Sequence, residues 1–222
     1  MLDSSDVTVA DFTEADIAGF LAYWYDSDRA FLEAMGVDPG RLPSRGKMRE
    51  MLELAIERDR RAERPQSTIL AIKLGEETVG VHEITHLTAG DSGILHAHIW
   101  KAEHRRRGIG IVSYVRAMEA FFERFDLARI VFESPAHNAG ANRIKERLGI
   151  PAVGTGTIEM PFQRGALATV TYIVTPEDLP RIRRNMAAAW LARGNTVDGH
   201  GTVPAAAEAA DPAGAAARED AR

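Results

Sequence analysis

The chain has 222 residues, which is enough for one to two domains of about 150 residues. With 45% hydrophobic and 27% charged residues it can bury a sizeable core, which excludes collagen-like and wholly disordered proteins. The net charge of -5 argues against a protein that coats nucleic acid. The absence of cysteine excludes disulfides, thiolate metal ligands and cysteine nucleophiles.

Neither a membrane span nor a signal peptide is predicted. No apolar run approaches the ~20 residues that a spanning helix needs, and residues 1–12 lack the basic and apolar regions of a signal peptide. We therefore expect a cytoplasmic protein with no membrane partner. The last residues are rich in alanine with scattered Pro, Gly and charges, so we expect residues 1–192 to form the folded domain and residues 193–222 a disordered tail.

The first third of the chain is predicted to be mostly helical. Thr13, with Asp16 three residues later, predicts a capped helix start, because apolar residues recur at helical spacing after it. Further patterns predict a short strand at residues 7–10, a short helix that ends at Gly36, and a long helix over residues 44–64.

From Ser67 onward, apolar residues recur at every second position and no longer at the helical spacing of about 3.6 residues, which indicates strands. The predicted strands cover residues 67–74, 78–88, 92–100, 128–133, 152–160 and 167–174. The predicted helices between and after them begin at residues 110, 138 and 175. The fold class is therefore α+β, with a mixed, mostly antiparallel central sheet flanked by helices and one crossover at its centre.

The most informative stretch is HRRRGIGI at residues 104–111, between a predicted strand and a predicted helix. Two glycines let the backbone approach a ligand, the helix start presents unpaired N–H groups, and three arginines add positive charge. Together these features predict an anion-binding loop. Taken alone, the pattern fits a solvated basic turn equally well.

A second motif, NAGANRIKERLGI, begins at Asn138. With both motifs at this separation the chain resembles the GNAT superfamily of acetyl-CoA-dependent N-acyltransferases, in particular its ribosomal-protein-alanine acetyltransferase branch. The R/Q-x-x-G-x-G/A loop of the family matches Arg105, Gly108 and Gly110, and its second-motif helix matches Asn138, Ala141, Glu146 and Gly149. The resemblance covers residues 68–174 and implies the GNAT fold, with extra N-terminal helices.

The resemblance implies acetyl-CoA as co-substrate, and no metal is expected because the chain has no thiolate ligand. In the family the loop N–H groups hold the pyrophosphate, the strand that ends at Trp100 splays from its neighbour to admit pantetheine, and the thioester lies beside residues 133–138. The implied cofactor-binding residues are Trp100, Arg105, Arg106, Arg107, Gly108, Ile109, Gly110, Ile111, Asn138, Asn142 and Arg143.

One departure from the family concerns the general acid. Many members carry a Tyr on the second-motif helix that protonates the leaving CoA thiolate, whereas this chain has Lys145 at that position. The sequence leaves Lys145, Tyr114, Tyr172 and solvent open as the proton donor.

Acylation of an amine also requires a base that faces the thioester. Each of the two central strands carries two histidines at alternate positions, and alternate residues share a face of a sheet. An even pairing register would place all four imidazoles on one face and Glu83 on the other. We predict Glu83 or His98 as the catalytic base, with a zinc site among the histidines as a less favoured reading.

The predicted function is transfer of an acetyl group from acetyl-CoA to a primary amine, either a small molecule or a peptide N-terminus. Three alternatives stay open: a non-catalytic acyl-CoA sensor, an acyltransferase whose donor is an acyl carrier protein, and a dinucleotide-binding oxidoreductase. Gly108-x-Gly110-x-x-Ser113 imitates a dinucleotide motif, but the chain has too few βαβ units for that fold. Nucleic acid is not expected as a partner, and a homodimer stays open.

Overall fold

The computed structural model describes residues 1–63, 66–159, 162 and 165–197. Within these residues, seven strands form one sheet in the order β1-β2-β3-β4-β5-β7-β6. The strands are β1 (Val7–Asp11), β2 (Ile69–Leu74), β3 (Glu77–Thr88), β4 (Ser92–Ile99), β5 (Arg129–Pro135), β6 (Ala152–Ile158) and β7 (Leu167–Val174). The helices are α1 (Ile17–Tyr25), α2 (Arg29–Ala34), α3 (Arg45–Arg61), α4 (Ile109–Phe125), α5 (Ala139–Leu148) and α6 (Leu179–Leu191).

The sheet is mixed and mostly antiparallel, as predicted, because only the pairing of β4 with β5 is parallel. The α+β class with added N-terminal helices is thus confirmed. Among the described helices, none combines the length and apolar character that crossing a membrane requires.

Local sequence signals set several helix ends. The predicted capping box forms, with the backbone N–H of Thr13 donating to Asp16 Oδ2 at 2.9 Å. Gly149 ends α5 with a φ of 69°, a left-handed conformation that favours glycine. The helix α3 ends at Arg61, and the predicted end at residue 64 lies outside the described residues.

Helices cover both faces of the sheet. Because successive residues of a strand point to opposite faces, Val81 of β3 packs with Phe20 and Leu52 of the N-terminal helices. Ile84 of the same strand packs instead with Met118 of α4, and α4 contacts α5 and α6. The N-terminal helices therefore define one face of the sheet and α4 the other.

The strands β4 and β5 separate after a short pairing. They pair only where Ser92, Gly93 and Ile94 meet residues 129–131, while β5 continues to pair with β7 as far as Pro135. Residues 95–99 of β4 and 132–135 of β5 consequently border an opening, which we call the β4–β5 split. The predicted splaying of the strand that ends near Trp100 is confirmed.

The first residues of the predicted tail make contacts with the domain. The indole N–H of Trp190 donates to the carbonyl of Thr196 at 2.6 Å, and the N–H of Leu2 donates to Asn195 Oδ1 at 3.1 Å. Asn195 and Thr196 are therefore attached to the domain, and the contact between Leu2 and Asn195 spans 193 positions, which composition cannot reveal. The remainder, residues 198–222, lies outside the described residues.

Candidate active site

The glycine loop (residues 105–110) connects the end of β4 to α4. Arg106 has a φ of 61° and Gly108 a φ of 96°, and left-handed residues in such a loop turn successive N–H groups toward one side. The N–H groups of residues 106–110 have no acceptor within the described part of the chain. The side chains of Arg106 and Arg107 are exposed beside them. The loop can therefore bind an anion, as the sequence predicts.

The isoleucines of this region present only backbone groups to a ligand. The side chains of Ile109 and Ile111 are 1% and 2% exposed, so only their backbone could reach a ligand. The N–H of Ile111 already donates to the carbonyl of Gly108 at 2.9 Å, and the set of available donors therefore ends at Gly110. A Cβ on Gly110 would lie 3.2 Å from Ile144 Cδ1, so the glycine also allows α4 to approach α5.

Arg105 has partners that its predicted role does not require. Its Nε donates to the carbonyl of Ile99 at 3.1 Å and its Nη2 to that of Trp100 at 3.0 Å. The guanidinium also lies 4.3 Å from the centre of the Phe31 ring. Arg105 thus holds the end of β4 beside the split, and these donors face backbone carbonyls instead of a phosphate.

Trp100 lies on the face covered by the N-terminal helices. Its ring packs so closely on Gly19 of α1 that a Cβ at that position would collide with it. The buried indole N–H has no hydrogen-bond acceptor among the residues that the structure describes. The Trp100 ring therefore packs beneath α1, while its carbonyl accepts from Arg105 of the glycine loop.

Some polar side chains of the second motif already have hydrogen-bond partners, and others are available to a ligand. Asn138 Oδ1 caps α5 by accepting from the N–H of Ala141 at 3.1 Å, and no bond to its Nδ2 is found among the described residues. Asn142 is fully used, because its Nδ2 donates to Pro135 O at 3.2 Å and its Oδ1 accepts from Tyr172 Oη at 3.2 Å. Arg143 is exposed on α5. Asn138 and Arg143 remain able to contact a cofactor.

Lys145 is buried on the α4 side of the sheet. Its Nζ lies 3.3 Å from Tyr114 Oη and 5.0 Å from the centre of the Phe132 ring of β5. No ion pair to Lys145 is found among the described carboxylates. Burial without a counter-ion lowers the pKa of Lys145 to about 7. The amine is therefore poised to exchange a proton near neutral pH.

The register of the central hairpin decides which histidines share a face. Glu83 pairs with His96, and His82 pairs with Ala97. The even register is therefore not the one adopted: His96 and His98 share the face of Glu83, toward the N-terminal helices, and His82 faces α4.

His82 is buried and His96 and His98 are half-buried, and burial lowers the pKa of all three. His82 has its Nε2 3.0 Å from Ser113 Oγ, and burial lowers its pKa to about 3. His98 has its Nδ1 3.2 Å from Tyr23 Oη, and burial lowers its pKa to about 3 as well. The described residues contain no group of three His, Asp or Glu placed to hold a metal ion.

Glu83 differs from its histidine neighbours because its carboxylate has no hydrogen bond or ion pair with any described residue. Burial is the cause that raises the pKa of Glu83 above the ordinary range of a glutamate. Its neighbours across the sheet are Ile69 of β2 and His96 of β4. Of the two predicted bases, Glu83 thus combines a free carboxylate with a pKa shifted toward neutrality.

Comparisons with known proteins agree with this geometry. Residues 6–150, more than half of the chain, match the family model described as an acetyltransferase (GNAT) domain. No curated protein sequence matches at a significant level.

Solved structures match over most of their length. Spermidine N-acetyltransferase from Vibrio cholerae, in complex with CoA and spermine, has a TM-score of 0.63 at 16% identity, over 79% of this chain and 99% of that one. RimJ from Mycobacterium smegmatis, in complex with CoA-disulfide, has a TM-score of 0.63 at 18% identity, over 82% and 89%. Aminoglycoside acetyltransferase AAC(6')-Ib, in complex with coenzyme A, has a TM-score of 0.58 at 17% identity, over 80% and 99%.

Proposed function

Because this chain belongs to the GNAT acetyltransferase family, we propose that it transfers an acetyl group from acetyl-CoA to a primary amine, which attacks the thioester directly in a ternary complex. The observation that carries the proposal is the β4–β5 split lying next to five consecutive unpaired N–H groups, at residues 106–110. A split strand pair and an anion-binding loop together suit an extended donor with a charged end.

The donor is held mainly by backbone. The pyrophosphate of CoA accepts from the N–H groups of residues 106–110, and the exposed guanidinium groups of Arg106 and Arg107 add charge. The pantetheine arm enters the β4–β5 split, where backbone groups without strand partners can pair with its amides. The Nδ2 of Asn138 and the side chain of Arg143 contact the donor from α5.

Glu83 is the proposed base. An aliphatic amine arrives protonated, and its nitrogen becomes a nucleophile only after it loses a proton. The raised pKa of Glu83 brings the carboxylate closer to this task, whereas His98, with a pKa of about 3, holds a proton too weakly. The deprotonated amine then forms the new C–N bond with the thioester carbonyl carbon, and the C–S bond breaks.

Lys145 is the proposed general acid. It gives a proton to the departing thiolate, and its Nζ contacts Tyr114 Oη, whose pKa burial raises so that the phenol stays protonated. Tyr172 is a weaker candidate, because its hydroxyl donates to Asn142. Glu83 and Lys145 lie on opposite faces of the sheet, so the split would bring the thioester between a base and an acid.

The acceptor is proposed to be a primary amine on a small molecule or a peptide N-terminus. The solved relatives include a spermidine N-acetyltransferase, an aminoglycoside acetyltransferase and RimJ. On the face that carries Glu83, the aromatic residues Tyr23 and Trp24 surround His98, with ring centres 5.5 and 5.0 Å from the imidazole. This aromatic cluster suits an acceptor with an apolar or cationic body next to its amine.

Calorimetry on the full chain tests the donor, with acetyl-CoA, CoA and NADPH titrated separately. We expect acetyl-CoA and CoA to bind and NADPH not to bind. Thiol release from acetyl-CoA is then measured with polyamines, aminoglycosides and peptides with an N-terminal alanine. Failure of CoA to bind would overturn the proposal, and binding without thiol release from any amine would favour the acyl-CoA sensor.

A further inference from the structure

The C-terminal segment (residues 190–197) contacts the glycine loop from behind. Arg193 Nη1 donates to the carbonyl of Arg106 at 2.7 Å, and Asn195 Nδ2 donates to the carbonyl of Arg107 at 3.4 Å. The ring of Trp190 closes against Gly108, where a Cβ would lie 2.8 Å from it. Two consecutive loop carbonyls thus accept bonds from one segment.

These two bonds fix the direction of two N–H groups. In a trans peptide the C=O and the N–H point in opposite directions, and the described residues contain no cis peptide. The carbonyl of Arg106 belongs to the same peptide as the N–H of Arg107, and the carbonyl of Arg107 to the same peptide as the N–H of Gly108. Donors on the carbonyl side therefore direct both N–H groups to the opposite side, where no described residue accepts from them.

The segment that supplies the donors is itself held in place. Trp190 is fully buried, and its indole N–H donates to the carbonyl of Thr196 at 2.6 Å. Asn195 Oδ1 accepts from the N–H of Leu2 at 3.1 Å, and the N–H of Thr196 donates to the carbonyl of Leu2 at 2.9 Å. The N-terminal residues therefore clamp Asn195 against the loop.

We propose that Arg193 and Asn195 are positioning residues for the pyrophosphate of CoA, which act by holding the carbonyls of Arg106 and Arg107 so that the opposite N–H groups are directed at the phosphates. This inference rests on the proposed function. A loop fixed before binding loses less conformational freedom when the ligand arrives. A bond to the carbonyl also polarises the N–H of the same peptide, which strengthens its bond to an anion.

The test compares CoA affinity in the full chain with Arg193→Ala, Arg193→Gln and Asn195→Ala. We expect each alanine variant to weaken CoA binding about fivefold, the effect of one lost hydrogen bond. Arg193→Gln keeps an N–H donor without the charge, so it should retain much of the affinity. Arg184→Ala is the control, because Arg184 is an exposed arginine of α6 and the variant removes the same charge.

A second readout follows the loop directly. In amide NMR spectra of the free protein, Arg193→Ala should shift the Arg107 N–H, and Asn195→Ala the Gly108 N–H, upfield, because each loses the polarising bond on its own peptide. A general loss of structure would instead shift many amides and lower the melting temperature.

The outcomes separate this inference from the proposed function. If the unchanged protein does not bind CoA, the proposed function fails. If it binds CoA and both alanine variants bind equally well, the positioning role alone fails. Arg193→Gln and Arg193→Ala could also bind CoA equally weakly. If high salt then abolishes the difference in CoA affinity between these variants and the unchanged protein, Arg193 acts by charge and its positioning role is overturned.

Discussion

The glycine loop and the pair formed by Glu83 and Lys145 are built in different ways. The loop offers backbone N–H groups from consecutive residues, 106–110, and its geometry is fixed by left-handed residues and by bonds to its carbonyls. Glu83 and Lys145 are side chains of distant elements, and burial has moved both pKa values toward neutrality. Binding a phosphate requires oriented dipoles, whereas moving a proton requires groups that change charge near the working pH.

The largest expected effect is a loss of kcat when Glu83, one of the two proposed proton-transfer residues, is replaced. Glu83→Gln preserves the size of the side chain but removes the proposed base, so kcat with a reactive amine should fall by about 100- to 1000-fold. In the unchanged protein the rate should fall at low pH, because Glu83 is protonated below its raised pKa and can no longer act as a base. This acidic limb of the pH–rate profile should be absent in Glu83→Gln. Steady-state kinetics across pH provides the measurement.

His98→Gln is the matched comparison for that variant. The pKa of His98 is about 3, so the imidazole is uncharged throughout the working range and its loss should not change the shape of the pH profile. A larger loss of kcat in His98→Gln than in Glu83→Gln would reverse the assignment of the base.

The second prediction concerns the acid. Lys145→Met should lower kcat by about 100-fold, because the thiolate then leaves without a proton donor. In the unchanged protein the rate should fall above a pKa of about 7, as Lys145 loses its proton. Lys145→Tyr should restore activity and move this limb toward the pKa of a phenol, about 10 in its unperturbed form.

A contrasting outcome would reassign the acid. If the alkaline limb near a pKa of about 7 persists in Lys145→Met, another group supplies the proton and the role of Lys145 is structural. Lys47→Met on α3 is the control, since Lys47 is exposed and pairs only with Glu50 among the described residues.

The third prediction concerns a variant that changes the glycine loop but leaves Glu83 and Lys145 unchanged. Gly108 has a φ of 96°, and a Cβ there would lie 2.8 Å from the Trp190 ring. Gly108→Ala should therefore reduce CoA affinity at least tenfold and destabilise the fold by about 1–3 kcal/mol. Calorimetry and urea unfolding measure the two effects.

Gly46→Ala in α3 is the control for the backbone, because nothing lies within 4 Å of a Cβ at that position. We expect it to leave CoA affinity unchanged and to stabilise the helix slightly. Equal CoA affinity in Gly108→Ala and the unchanged protein would show that the loop does not contact the donor.

The same contrast explains how far the sequence could predict the site. The loop and the start of α5 follow from short motifs, because the groups that bind are neighbours along the chain. The face on which His96 lies depends on strand register, and a slip of one residue reverses every side chain. The donors on the loop carbonyls were missed, since Arg193 and Asn195 are 87 and 88 positions from their acceptors and fell within the predicted tail.

Arg105 illustrates a different limit of prediction. The motif correctly placed it at the loop, but its donors are taken by the carbonyls of Ile99 and Trp100. Those acceptors lie at the end of β4, beyond the residues that pair with β5. A motif records which residues occur together, whereas the partner of each side chain depends on tertiary packing.

The smallest expected effect is on stability, and it concerns Lys145 again. In the folded protein its pKa is about 7, and in the unfolded chain it is about 10.4. Between these values the unfolded state binds the extra proton, so the free energy of unfolding should rise with pH, by about 2 kcal/mol from about pH 7 to pH 9. Lys145→Met should remove this slope and stabilise the protein at neutral pH, by about 1–2 kcal/mol.

Urea unfolding of the two proteins at both pH values measures this effect. A slope that survives in Lys145→Met would mean that another group titrates on unfolding. A slope that disappears together with catalysis would show that one unpaired, buried amine lowers stability and serves the reaction. That result would set Lys145 apart from the glycine loop, where the same carbonyl bonds both hold the fold and orient the binding groups.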